Sequence, residues 1–87
     1  MKLSAELSVY PLREDFKVAV LGFIEELLKG QDIVSVTNSM STQISGEDEA
    51  VFSAIQQALR VSYDQFGRQV LVAKFIPEHF ADIGPEG

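Results

Sequence analysis

The sequence has no cysteine, no tryptophan and a single histidine, His79. Without cysteine there can be no disulfide, no thiolate metal site and no thiol nucleophile. A lone histidine after Pro77 cannot build a metal cage by itself, so neither metal nor other cofactor is expected. The same absence of cysteine fits a reducing compartment, and a cytoplasmic protein is expected. Basic residues are also few: seven against thirteen acids, for a net charge of −6. Such a surface repels phosphate backbones and argues against nucleic acid as a partner. No apolar run approaches the roughly 20 residues that span a bilayer, and the first ten residues alternate in polarity instead of forming a leader. The longest apolar stretch, VAVLGFI (18–24), sits between charged flanks, so no membrane insertion is expected. Only three prolines interrupt a chain that is 46% hydrophobic, which argues against disorder. A chain of 87 residues makes one domain with one core.

What is present changes period along the chain. Residues 3–10 alternate: Leu3, Ala5, Leu7 and Val9 on one side, Ser4, Glu6, Ser8 and Tyr10 on the other, until Pro11 stops the strand. The spacing of Phe16, Val20, Phe23, Ile24 and Leu27 predicts a helix over 14–29 with that stripe buried, Lys29 near its negative end and Gly30 as its stop. Strands are expected over 32–38 and 40–45, joined by a reversal near Ser39. Ser45-Gly46-Glu47-Asp48 then fits a capping pattern with Ser45 as N-cap, and acids crowd the first turn of a helix over 47–66. Val51, Phe52, Ile55, Leu59, Ser62 and Phe66 form its expected buried stripe, and Gly67 ends it. A fourth strand is expected over 68–76. The domain therefore covers 1–76, with a polar tail over 77–87.

The order β-α-β-β-α-β with short connections is that of a ferredoxin-like α+β sandwich. Two helices cover one face of a four-stranded antiparallel sheet, with a parallel pair expected at its centre. The other face is left uncovered. In strand four, Leu71, Ala73 and Phe75 suit the helix side, which leaves Val70, Val72, Lys74 and Ile76 outside. That outer face is apolar enough to call for a second copy, so a homodimer or tetramer is expected.

Between an apolar strand and an acidic helix start, residues 38–46 carry amides or hydroxyls at six of nine positions. This reads as a strand presenting donors and acceptors to a small polar ligand; the plainer reading is a solvated strand face. Enzyme motifs are missing, including any Gly-x-Ser-x-Gly elbow. Arg13 and Asn38 suit an acylphosphatase, but YPLREDF (10–16) has no glycine to cradle phosphate and two acids to oppose it. The strand MSTQIS lacks the aromatics of an RNA-binding sheet.

The segments SAELSVYPL, MSTQISGE and QVLVAKFI resemble the YkoF-like thiamin/hydroxymethylpyrimidine-binding family, over about residues 3–76. The resemblance implies non-catalytic binding of thiamin or its hydroxymethylpyrimidine part, for carriage, sequestration or salvage. Family chains can carry two such units, so a single unit would be completed by self-association. An aminopyrimidine needs mixed donors and acceptors, which Ser8, Ser41, Thr42, Gln43 and strand-edge backbone can supply, with Asn38 beside them. The carboxylate of Glu6 and the ring of Tyr10 suit the thiazolium cation. The alternatives are a pairing of Glu6 with Lys74, a turn role for Asn38, and a purely structural or regulatory association domain.

Overall fold

A computed structural model describes residues 1–37 and 41–78. The elements are β1 (Lys2–Pro11), α1 (Phe16–Leu27), β2 (Ile33–Thr37), β3 (Thr42–Glu47), α2 (Asp48–Phe66) and β4 (Gln69–Pro77). The sheet order is β2-β3-β1-β4, the ferredoxin-like arrangement, with every neighbouring pair antiparallel. The expected central parallel pair is therefore corrected. The α1 crossover sets β2 in the direction of β1, and the following reversal then turns β3 against it.

Alternation in β1 puts Leu3, Ala5 and Leu7 into the core, where Phe23, Leu27, Ile44, Val51 and Ala58 meet them. Complete burial of side chains such as Phe23 and Leu27 contributes about 1.5–3 kcal/mol each. The register sets Leu71, Ala73 and Phe75 on the helix side of β4 and Val70, Val72, Lys74 and Ile76 on the outer side. Phe75 reaches past the core to Phe52, with ring centroids 5.2 Å apart.

Several boundaries differ from the sequence expectation. Ser45 is not an N-cap: it lies inside β3, fully buried, with its hydroxyl 2.8 Å from that of Ser4. Glu47 occupies the cap position without a side-chain bond, and the Asp48 amide donates instead to the Met1 carbonyl at 2.9 Å. The start of β1 thus takes the capping role that the sequence assigns to a serine. Phe52 is exposed rather than buried, because α2 turns the smaller Ala54 and Ala58 toward its neighbours.

Gly67 ends α2 at φ 81°, a conformation that favours glycine. Gly30 has a different reason to be glycine: a Cβ there would stand 2.7 Å from that of Ala54, so the turn after α1 lies too close to α2 for a side chain. Of the expected tail, Pro77 closes β4 and Glu78 donates to Lys2, whereas residues 79–87, His79 among them, lie outside the described residues. The reversal near Ser39, with Asn38 and Met40, also lies outside them.

Candidate functional site

The strands do not end together. β1 pairs with β3 from Lys2 to Leu7, but with β4 from Leu3 to Pro11. Among the described residues, 8–11 of β1 pair with β4 only, and a notch opens where β3 begins at Thr42. The notch is a cavity of about 440 Å³, within the range of about 300–1,000 Å³ usual for small-molecule sites.

Its described lining combines Leu7 to Pro11 of β1, Arg13 of the following loop, Phe16, Val20, Phe23 and Ile24 of α1, and Ser41 and Thr42. The α1 stripe thus has two jobs. Its C-terminal half, with Leu27, closes the core, and its N-terminal half walls the cavity. Phe16, expected in the core, is 52% exposed and lines the cavity instead. One edge of the notch is backbone. Lys2 accepts from Glu78 and Leu12 donates to Arg68, so even-numbered residues of β1 turn their peptide groups toward β4. By the alternation of a strand, Val9 turns its N–H and C=O the other way, toward the notch.

The sequence-predicted site residues divide between two places. Ser8, Tyr10, Ser41 and Thr42 line the notch. Glu6 and Gln43 oppose one another on the outer sheet face instead, and Lys74 approaches Glu6 at 3.8 Å, the pairing weighed as an alternative. Thr42 and Gln43 were expected to serve one ligand together. Adjacent strand residues point to opposite faces. Thr42 accordingly turns to the helix side, 3% exposed, with its hydroxyl 3.2 Å from that of Thr37. Asn38 lies outside the described residues.

Arg13 and the aromatic wall were missing from the predicted set. Arg13 is held by three hydrogen bonds from two sides: its Nε and Nη2 donate to Asp15, the latter at 2.9 Å, and its Nη1 donates to the Phe66 carbonyl at 3.2 Å. Its guanidinium lies 5.4 Å from the centroid of the Phe66 ring, which packs against Gly22 of α1. Hydrogen bonding from Arg13 holds the Asp15 carboxyl below its usual 3.8. The signal in the sequence was a basic residue immediately after a strand, followed by a helix whose apolar stripe begins before any strand can cover it. Chemically, the notch offers an aromatic wall, hydroxyls, a strand edge and one guanidinium. Among the described residues no metal-binding cluster of acids or histidines occurs, and no helix is long and apolar enough to cross a membrane.

Residues 2–75 match the model of the YKOF-related family. Among solved structures, a hypothetical protein from Methanocaldococcus jannascii is 25% identical with a TM-score of 0.78, over 98% of this chain and 89% of that one. A domain of unknown function from Bacillus cereus is 18% identical with a TM-score of 0.75, over 95% and 84%. A Thermotoga maritima protein, assigned provisionally to thiamine biosynthesis or salvage, is 17% identical with a TM-score of 0.71, over 95% and 91%. The last two likenesses show the fold alone. No curated protein matches the chain.

Proposed function

The chain belongs to the YKOF-related family, and on that premise we propose that it binds thiamin or the hydroxymethylpyrimidine part of thiamin without chemical change, for carriage or salvage. The observation that carries this reading is the notch, where an aromatic wall meets a strand edge that pairs with none of the described residues. A 4-aminopyrimidine presents a ring nitrogen acceptor beside an amino donor. The N–H and C=O of Val9 are the complementary pair, and Ser41 and Thr42 stand beside it in the lining. The exposed ring of Phe16, on the cavity wall, suits a flat heterocycle. The described lining holds no imidazole or carboxylate to take a proton, which favours binding over catalysis. The provisional thiamine assignment of the Thermotoga maritima protein points the same way.

The reading includes self-association through the outer sheet face. Val70, Val72 and Ile76 are 47%, 44% and 56% exposed there, flanking a polar centre of Ser4, Ser45, Glu6 and Gln43. A second copy of the same face would cover these apolar residues together with Ser8 and Tyr10, which pair with Val72 and Val70. The cytoplasm is the proposed location.

The test is calorimetry and thermal melting with thiamin, hydroxymethylpyrimidine and an unrelated aromatic cation. A ligand at 100 times its dissociation constant should stabilise the native state by about 2.7 kcal/mol. Both thiamin compounds should bind and compete, and the unrelated cation should not. Absence of binding by both would leave the domain as an association module alone.

A further inference from the structure

Given the aminopyrimidine reading, we infer that Arg13 makes the notch select the phosphate monoester of the hydroxymethylpyrimidine over the free alcohol and over cationic thiamin. Arg13 is the one charged side chain among the described residues lining the cavity. The carboxylate suited to a thiazolium, Glu6, lies on the opposite face of the sheet beside Lys74. A cation in the notch would therefore meet a guanidinium and no lining carboxylate.

Arg13 is also prepared for an anion. Of the five N–H groups of a guanidinium, three are taken by Asp15 and the Phe66 carbonyl, which fixes the plane over the Phe66 ring. Among the described residues, one N–H on each terminal nitrogen is left, and the two make a fork. A fork held in place loses little freedom on binding and matches two oxygens of a phosphate. Its position, on the loop leaving β1 and four residues beyond Val9, suits a substituent that leaves the ring at the mouth of the notch.

Two effects oppose the anion. Asp15 neutralises part of the guanidinium charge at the exposed rim, and the net charge of −6 repels anions at long range. The long-range effect is screened beyond about 8 Å at physiological salt, whereas the contact is not. The balance is a moderate preference that Asp15 itself limits.

Calorimetry on the full chain should compare the alcohol, its phosphate monoester, thiamin and inorganic phosphate. The ester should bind about tenfold more tightly than the alcohol, a difference of about 1.4 kcal/mol. Arg13→Gln should bring the ester-to-alcohol ratio to about one, Arg13→Lys should restore only part of it, and Asp15→Asn should raise it above the parent value. An ester bound no more tightly than the alcohol, or a ratio indifferent to Arg13→Gln, would overturn the inference. So would inorganic phosphate binding as well as the ester, since that marks a phosphate site without the ring. Arg13 also holds the end of α2, so if Arg13→Gln unfolds, the exposed Asp15→Asn decides: an unchanged ratio is a refutation. Alcohol binding with a ratio of one defeats this inference alone, whereas failure of the parent protein to bind either compound defeats the aminopyrimidine reading with it.

Discussion

Gly30→Ala tests how closely the turn after α1 is held against α2, because α1 walls the notch. Gly30 is not in the left-handed region, since Gly67 is the one described glycine with positive φ. An alanine there is therefore free of backbone strain, and the less flexible unfolded chain would return about 0.4–1 kcal/mol. Against this, the new methyl would stand 2.7 Å from the Ala54 Cβ, 3.1 Å from the Ile33 Cδ1 and 3.2 Å from the Leu27 carbonyl oxygen. Ile33 can turn its terminal methyl aside, but the Ala54 Cβ is fixed to α2, so the turn or α2 must shift. Overpacking of this kind costs about 1–3 kcal/mol. The net expectation is a loss of about 1–2 kcal/mol, read as a lower urea midpoint at constant m-value. The decisive arm is the same substitution in an Ala54→Gly background, where the opposing methyl is gone. There Gly30→Ala should be neutral or stabilising, giving a coupling of about 1–2 kcal/mol between the two sites. A neutral Gly30→Ala in the parent, or an equal cost in both backgrounds, would refute the close approach.

Thr42→Val deletes the hydroxyl that meets Thr37 while keeping shape. Because Thr37 is exposed and can return to water, hydroxymethylpyrimidine affinity should fall by about 0.5–1.5 kcal/mol with a smaller change in the denaturant melt. Val72→Glu places a charge on the outer sheet face and should shift sedimentation equilibrium toward monomer, with binding in the notch retained. The Asp15 carboxyl should titrate below 3.8 by NMR and move upward in Arg13→Gln. Since its folded value is depressed, the stability linked to it is present above 3.8 and is lost as pH falls through the folded value, and Asp15→Asn should remove that part of the acid limb.

Much of the fold was legible because two periods dominate the chain. The alternation of Leu3, Ala5 and Leu7 and the helical spacing of Phe23 and Leu27 each name one buried face, and the structure buries those residues. Local rules failed where tertiary contacts replaced them. Ser45 satisfies every sequence criterion for an N-cap, yet pairing with β1 extends β3 through Glu47 and supplies the cap from the Met1 backbone. Phe52 keeps helical spacing but turns outward to meet Phe75, a contact 23 residues away that no local pattern encodes. Ser8, Tyr10, Ser41 and Thr42, which line the notch, stand out in the sequence because strand ends advertise themselves by composition. Phe16 was assigned to the core because a wall and a core side chain share one periodicity; only the stagger of strand ends separates them. Arg13 was noticed as a charge but not as a lining residue, since its position depends on the Phe66 carbonyl at the far end of the other helix.

The unequal strand ends also give the site a clock. Along β1, the amides of Ser8 and Tyr10 face β4 and are locked in its ladder, while the amide between them, that of Val9, faces the notch. Hydrogen exchange reads local opening residue by residue. Among the described residues only β4 pairs with this stretch, so protection is expected to alternate with the parity of the residue number, not with distance from the strand's end. A molecule that occupies the notch and accepts from Val9 would slow one proton while its two neighbours keep their own rates. The staggered edge thus turns a single backbone amide into a gauge of occupancy, readable without knowing the occupant.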